Sequence, residues 1–499
     1  MAAEIKFGTD GWRGIIAGDF IFENVRRVAA AIAAYVRKHE DHRKGLVVGY
    51  DTRFASPKAA RVVAETLAAA GIPVTLATDY TPTPGVSFAV RHFNAAGGVV
   101  VTSSHNPWNW NGLKFKAKYA GPATPAIMKA IEAELNFDPG AAPKDTPAKI
   151  TPGMIKEADF KPPYIDAMCS FVDMARIKRA GFKFAVDPMY GAGRGILKSI
   201  FARDGIAHVE IRGELNPLFP GINPEPIEPH IKLLQETVVR EKCHAGFATD
   251  GDADRIGAVD EHGAFVDSHK IFSILLRWLV ERKQWPGAVA KTFSTTKMLD
   301  KIAAKHKRRL FETAIGFKYI CDLMLTEDIL IGGEESGGIG ITRHLPERDG
   351  SLNALLLAAV MAEEGKTLAQ LVNDLQNEYG PHHYGRRDLH VSNEVKDGAV
   401  RRAAAGPNTI GPYKVLRSEN IDGVKLYLET KTKDTKTKDT KSKDTKSKPG
   451  QNVETWLLFR ASGTEPMLRL YCEADSPALV HEVLDHAEAF VEEKATTAA

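Results

Sequence analysis

Val25, Val28, Ala29, Ile32 and Val36 recur at three- and four-residue steps, the spacing that gathers side chains on one face of an α-helix. Downstream, residues 46–50 form a short apolar run without that period, ending in Asp51-Thr52-Arg53, and a buried strand is expected there. The alternation continues with a helix after the Ser56-Pro57 start signal and strands over 72–76 and 98–102. It restarts at 182–186, which runs into Asp187-Pro-Met-Tyr-Gly-Ala-Gly193 and a predicted helix. A third restart comes at 288–293, followed by a helix over 298–304 and a strand over 329–331. Alternating β and α elements imply parallel or mixed sheets covered on both faces, so three similar α/β domains are expected.

The tail follows another pattern. After Tyr379-Gly-Pro-His-His-Tyr-Gly385, read as a linker, strands are expected over 424–428, 454–459 and 468–472, with an amphipathic helix closing at about 477–493. This is a smaller α+β domain. The expected boundaries are 1–150, 151–260, 261–378 and 379–499. Inside the last of these, residues 431–448 repeat Lys-Thr-Lys-Asp-Thr with small variations. Such a run has no apolar surface to bury and reads as a solvated insertion between two strands.

Composition narrows the classes. The 499 residues are 43% hydrophobic and 26% charged, the balance of an ordinary soluble globular protein. Net charge is +3, and the repeat alone, with eight Lys and three Asp, carries +5, leaving −2 for everything else. Nothing global points to nucleic acid or a membrane surface. Four cysteines, widely spaced and without a CxxC pair, argue for reduced thiols rather than a disulfide framework or a thiolate zinc site. The first residues, Met-Ala-Ala-Glu-Ile-Lys-Phe, hold no apolar signal core, and a cytoplasmic location is expected.

Four segments carry candidate chemistry. Thr102-Ser103-Ser104-His105-Asn106-Pro107 follows an apolar strand, and strand C-terminal ends are where open α/β sheets place ligands. Either serine could present a nucleophilic hydroxyl, and the segment is equally compatible with a plain turn. No G-x-S-x-G elbow exists, and a His adjacent in sequence is poorly placed to deprotonate its neighbour, which disfavours a serine hydrolase. Asp250-Gly-Asp252-Ala-Asp254-Arg255 sets three carboxylates at alternate positions, which extended chain would project to one side. Such a cluster repels itself unless a cation neutralises it, and few oxygen ligands suit Mg²⁺. An EF-hand loop is excluded because its sixth position would be Arg255 instead of glycine.

Gly332-Gly-Glu334-Glu335-Ser336-Gly337-Gly338 combines close backbone approach with a carboxylate and a hydroxyl suited to sugar hydroxyls. Arg460-Ala-Ser462-Gly463-Thr464-Glu-Pro466 offers a guanidinium, hydroxyls and backbone N–H groups to a phosphate. There is no Walker loop, and Gly191-Ala-Gly-Arg-Gly195 has Ile196 where a dinucleotide fingerprint needs glycine. A nucleophilic hydroxyl, a carboxylate-held cation, a hydroxyl reader and a phosphate reader, without a nucleotide site, describe phosphoryl transfer on a sugar.

Phe7-Gly-Thr-Asp-Gly-Trp-Arg-Gly14, Thr102–Pro107 with Asn111-Gly-Leu-Lys114, Asp187-Pro-Met-Tyr-Gly191, Asp250–Arg255, Gly333–Gly337 and Arg460–Pro466 occur in the order and at the approximate spacing of one family. The chain resembles the α-D-phosphohexomutases over nearly its whole length. The resemblance implies three similar α/β domains and a smaller C-terminal domain around a central cleft. It implies that Ser104, directly before His-Asn-Pro, is the residue phosphorylated, and that Asp250, Asp252 and Asp254 hold Mg²⁺ together with an oxygen of phospho-Ser104. Glu334 and Ser336 would grip sugar hydroxyls, and Arg460, Ser462, Gly463 and Thr464 would bind the phosphate that is not reacting. Arg13, His105 and Lys114 match basic residues of the catalytic centre, Arg255 follows the metal-binding aspartates as a substrate contact, and Lys318 matches a lysine found in many phosphoglucomutases. Gly338 departs from the family, where many members carry His.

The implied activity is an isomerase-type intramolecular phosphotransfer between α-D-glucose 1-phosphate and glucose 6-phosphate, with glucose 1,6-bisphosphate as intermediate and activator. Phosphomannomutase or a dual-specificity enzyme is the nearest alternative, ahead of phosphoglucosamine mutase and a non-catalytic sugar-phosphate-binding paralogue. The expected partners are small hexose phosphates, and the expected assembly is a monomer or homodimer. Deleting 431–448 should leave kcat and the melting temperature nearly unchanged while net charge moves from +3 to −2. Steady-state kinetics and thermal melts check this, and a large loss of activity would contradict the insertion reading.

Overall fold

The computed structural model describes residues 5–8, 10–135, 150–430, 453–462 and 466–493. The 431–448 repeat, and Gly463 and Thr464 of the candidate phosphate loop, lie outside the described residues. By its contacts the chain divides into two compact units, Met1–Lys291 with Gly316–Leu371, and Thr292–Ile315 with Val372–Ala499.

Among the described residues, the first sheet of the larger unit has eight strands. Its centre is Leu46–Tyr50, parallel to both Val74–Ala77 and Gly97–Val101, with Trp110–Ala117 antiparallel to the latter. The helical stripe predicted from Val25 to Val36 is real: helix Phe22–His39 buries all five of its residues. The strand expected at 72–76 begins two residues later. Ile72 closes helix Ser56–Ala69, donating its N–H to Leu67, and Pro73, which has no N–H to give, contributes only its carbonyl, to Leu46. The sheet also gains Ile155–Ala158, parallel to Val74–Ala77 and past the expected domain boundary at 150. Its Ile-Lys-Glu-Ala sequence leaves half its side chains exposed, which an edge strand tolerates.

The second sheet runs His208–Glu210, Phe184–Asp187, Ala245–Thr249, Ile256–Asp260, Phe265–Val266, again crossing an expected boundary, at 260. Its central strands are buried throughout, as parallel sheets covered on both faces require. In the third, Ala288–Thr292 lies parallel to Ile329–Gly333, which pairs antiparallel with Ile339–Ile341. All three sheets place the candidate loops at strand C-terminal ends, after Val101, Thr249 and Gly333.

The smaller unit carries an antiparallel sheet ordered His383–His390, Met467–Ala474, Thr455–Ala461, Val424–Glu429, Tyr413–Glu419, Thr409–Ile410. Side chains alternate across it. Leu457 and Phe459 pack with Val483 and Leu484 of helix Pro477–Glu492, whereas Trp456 and Leu458 pack with Phe293 and Tyr471 on the other face. The segment expected to be a linker is partly strand: His383, Tyr384 and Gly385 pair with Ala474, Glu473 and Cys472. Polar residues read as loop in sequence can occupy an edge strand, because only one of its faces is buried.

All four cysteines are free thiols, three of them buried. No described helix is long and apolar enough to cross a membrane.

Candidate active site

Strand Gly97–Val101 delivers the chain into Thr102-Ser103-Ser104, and there the backbone turns sharply. Ser104 adopts φ +51°, a left-handed conformation that a non-glycine residue holds only under constraint. Thr102 Oγ1 accepts the Ser104 N–H at 2.9 Å, and the Ser104 hydroxyl donates to Asp250 Oδ2 at 2.9 Å. Ser103 points elsewhere, its hydroxyl donating to Asn106 Oδ1 at 3.2 Å. Of the two serines, Ser104 faces the carboxylates. His105 Nδ1 stands 3.4 Å from the same hydroxyl, at the outer limit of a hydrogen bond. Arg13 reaches the loop through Asn106 Oδ1 at 2.8 Å.

The three aspartates occupy the connection between strands Ala245–Thr249 and Ile256–Asp260, an antiparallel pair in which Thr249 faces Ile256. The sequence predicted extended chain here. The segment is instead a turn, with Ala253 at φ +57°, because six residues must reverse the chain between paired strands. The carboxylates still converge: one ligand atom from each lies within 4.8 Å of the others, and all three side chains are buried. Arg255 N–H donates to Asp250 Oδ1 at 3.1 Å, and Thr83 donates to Asp252 through its hydroxyl at 2.6 Å and its N–H at 2.9 Å. Asp187-Pro-Met-Tyr-Gly191, singled out in the sequence without a chemical role, braces this turn. Ala192 N–H donates to the Gly251 carbonyl at 2.9 Å, and a Cβ on Gly191 would stand 2.6 Å from that oxygen. Gly251 in turn admits the Ser104 carbonyl, which would be 2.3 Å from any Cβ there.

Cations close around the cluster. The Lys114 ammonium lies 2.9 Å from Asp252, 3.3 Å from Asp254 and 3.0 Å from Asp10. Arg348 spans Asp254 at 2.7 Å, Asp10 at 3.0 Å and Glu334 at 3.4 Å. Burial and the charges of Asp252 and Asp254 push the Asp250 carboxyl well above the usual carboxylate range. Burial acts on Asp252 in the same sense, but Lys114 and the Thr83 hydroxyl outweigh it and hold that carboxyl well below. Lys114 is likewise desolvated, yet its three acidic neighbours raise its pKa. Burial among Arg255 and Arg13 drives His105 well below its ordinary value, so its imidazole is neutral.

Asp252 Oδ1 and Asp254 Oδ1 are buried without a hydrogen-bond partner. Orphaned carboxylate oxygens beside a third carboxylate are the donor set of a hard divalent cation, and the residues fit one.

The remaining candidates divide. Arg255 belongs to the cluster, 3.9 Å from Asp250 and from Asp254. Glu334 joins it through Arg348. Ser336, half-buried, and Lys318, whose ammonium lies 5.2 Å over the Tyr319 ring, make no ion pair or hydrogen bond with it. In the smaller unit, Arg460 Nε donates to Asp422 at 3.2 Å, and Ser462 accepts Lys396 Nζ on its carbonyl at 3.1 Å. Asp10, Thr83 and Arg348 were not singled out in the sequence. Asp10 sits inside the Phe7–Gly14 motif, and Arg348 precedes Asp349, the N-cap of helix Gly350–Glu364, but neither context signals a charge partner. Gly338 lies against Arg348: a Cβ there would meet Arg348 Cδ at 2.4 Å.

The chain belongs to the phosphoglucomutase/phosphomannomutase family of α-D-phosphohexomutases. Its alpha/beta/alpha domains I, II and III match residues 4–138, 162–263 and 267–379, and its C-terminal domain matches 450–489. Members are isomerase-type phosphotransferases, and this chain is an enzyme of that kind. It is 30% identical to a phosphoglucomutase/phosphomannomutase of Thermococcus kodakarensis, the alignment covering 96% of both chains. It is 29% identical to a phosphoglucosamine mutase of Limosilactobacillus reuteri, again over 96% of each. A solved structure from Thermus thermophilus, assigned as a phosphomannomutase, superposes with TM-score 0.82 at 35% identity, covering 99% of this chain and all of that one. These names span several sugars, so family membership reaches the hexose-phosphate class and stops there.

Adding a divalent cation to the chelated enzyme should raise its melting temperature, a ligand at 100 times its Kd being worth about 2.7 kcal/mol. Asp252→Asn removes one of the three carboxylates and should blunt that rise, which scanning calorimetry reads without any assay of turnover.

Proposed function

We propose that the enzyme interconverts α-D-glucose 1-phosphate and glucose 6-phosphate through phospho-Ser104, with glucose 1,6-bisphosphate as intermediate and activator. The observation that supports this most is the Ser104 hydroxyl, 2.9 Å from Asp250 in a buried carboxylate trio that keeps two oxygens without a hydrogen bond. Mg²⁺ is the cation proposed for Asp250, Asp252 and Asp254, where it would neutralise charge on the transferred phosphoryl group.

The chain's own residues supply the rest. Ser104 carries the phosphoryl group. The first transfer breaks its Oγ–P bond, forms an O–P bond on the free sugar hydroxyl and moves one proton, in net, from that hydroxyl to Oγ. The second breaks the other O–P bond of the bisphosphate, re-forms Oγ–P and returns a proton from Oγ to the sugar oxygen. His105, whose Nδ1 stands 3.4 Å from Ser104 Oγ, is the imidazole placed to relay the proton. Lys114, Arg13 and Arg255 offset developing charge at fixed positions, which is most of what phosphoryl transfer demands. Glu334 and Ser336 take sugar hydroxyls, and Arg460, Ser462, Gly463 and Thr464 the distal phosphate. Lys318 is the residue that favours glucose in this reading.

A dual glucose/mannose specificity is the second reading, favoured by the dual name of the T. kodakarensis relative. The two sugars differ only at C2, where one hydrogen bond is worth about 0.5–1.5 kcal/mol, a preference of roughly 2- to 13-fold. Measuring kcat/KM for the 1-phosphates of glucose, mannose and glucosamine side by side should rank glucose first, with measurable turnover of mannose 1-phosphate. A preference for either other sugar would replace the glucose assignment.

Ser104→Ala should abolish nearly all mutase activity, while Ser103→Ala keeps much of it. Mass spectrometry should find phosphate on Ser104, and phosphate on Ser103, or equal losses in both variants, would sink the assignment. For Glu334, burial outweighs Arg348 and pushes the carboxyl up to about 7. An ionised carboxylate accepts from sugar hydroxyls and a protonated one accepts less well, so kcat/KM should fall as pH drops through that value. Glu334→Gln should lower the high-pH plateau and remove this inflection.

A further inference from the structure

Arg53 is a fully buried cation beside the Ser104 loop that the proposed chemistry does not use. Its side chain is fully inaccessible to solvent. All four of its terminal N–H directions end on backbone carbonyls of a single loop. Nη2 donates to the Ser104 carbonyl at 2.7 Å and the Asn106 carbonyl at 2.6 Å, and Nη1 to Pro107 at 2.8 Å and Trp110 at 3.1 Å. Asp51 stands behind the guanidinium as its ion pair, Oδ2 3.2 Å from an Nε that makes no hydrogen bond. The same carboxylate accepts the Thr102 hydroxyl at 2.6 Å, the Ser56 hydroxyl at 2.8 Å and the Arg53 N–H at 2.9 Å. Thr102 Oγ1 then accepts the Ser104 N–H, so Ser104 is held at both its amide and its carbonyl by one network.

Ser104 needs such a hold. Its left-handed backbone costs energy for a residue with a side chain, and turning its carbonyl toward Arg53 is what leaves Oγ aimed at Asp250. We propose that Arg53 is a positioning residue for phosphoryl transfer. It holds the Ser104 backbone in its strained turn so that Oγ keeps one location for both halves of the reaction, without itself touching substrate. The proposal rests on Ser104 being the phosphoryl carrier. A lysine could not replace it, since a point ammonium with three donors cannot reach four carbonyls at once.

The test uses the full-length enzyme with Arg53→Lys and Arg53→Gly. Both should lose on the order of 100-fold in kcat, the cost of displacing a reacting group by about 1 Å. KM should stay within about three-fold, because ground-state sugar binding is untouched. Steady-state phosphate on Ser104 should fall in both, by mass spectrometry. Guanidinium chloride at non-denaturing concentration should restore part of the kcat of Arg53→Gly and none of that of Arg53→Lys. Folded variants with wild-type kcat, or a loss confined to KM, would overturn the proposal. So would failure of both variants to fold, which would make Arg53 a residue of stability alone. If Ser104→Ala is inactive while the Arg53 variants turn over normally, this inference fails and the Ser104 reading stands; an active Ser104→Ala would remove the reading itself.

Discussion

Burying three carboxylates on one six-residue turn is possible only if their charge is met from several directions at once, and the surrounding loops are arranged by that demand. An unpaired ion inside a protein costs several kcal/mol, and removing one partner of a buried pair typically costs about 3–5 kcal/mol. Lys114 arrives from the strand Trp110–Ala117, Arg348 from the segment before helix Gly350–Glu364, Thr83 from the start of helix Thr83–His92 and Arg255 from the turn itself. Each comes from a different part of the larger unit. The turn is therefore a meeting point that keeps these loops in register, and the glycines at 191 and 251 exist because backbone must approach it more closely than a Cβ allows.

That arrangement is suited to a group whose charge changes. A phosphorylated serine brings nearly two negative charges at neutral pH, placed where the Ser104 hydroxyl now donates to Asp250. Without a dication the added phosphate would face three carboxylates at close range. In the reaction proposed above, phosphorylation of Ser104 and cation binding would thus be thermodynamically linked, each strengthening the other, with Lys114 and Arg348 as the permanent part of the compensation.

Much of this was legible in the chain. The central strands and the helical stripe from Val25 to Val36 announced themselves because deep burial leaves a clear apolar pattern. The edges did not: Ile155–Ala158 and His383–His390 carry polar residues on their open sides and resemble loop in sequence. Ser104, the aspartate trio and Glu334 stand in compact motifs, and choosing Ser104 over Ser103 rested on family resemblance, which the hydroxyl geometry supports. Arg348 could not be read the same way. Its partner Asp10 is 338 positions away, and nothing local distinguishes it from a surface arginine beside a helix cap. Arg53 was visible only as part of the polar end of a strand, its value lying in carbonyls that sequence does not reveal. The shape of the aspartate turn was misjudged for a related reason, since alternate spacing suggests extended chain and only the strand pairing shows that the chain must reverse.

Gly338 and Arg348 compete for one volume. Any side chain at 338 would collide with the arginine's methylene at 2.4 Å and approach Glu334 Oε2 to 3.2 Å. A relative bearing histidine at that position must send its residue at 348 along another path, and with it the charge that here reaches Asp254, Asp10 and Glu334. The two positions should therefore change together in descent: a side chain gained at 338 alone crowds the arginine, the arginine lost alone leaves Asp254, Asp10 and Glu334 without that cation, and the pair exchanged jointly gives a different but consistent centre.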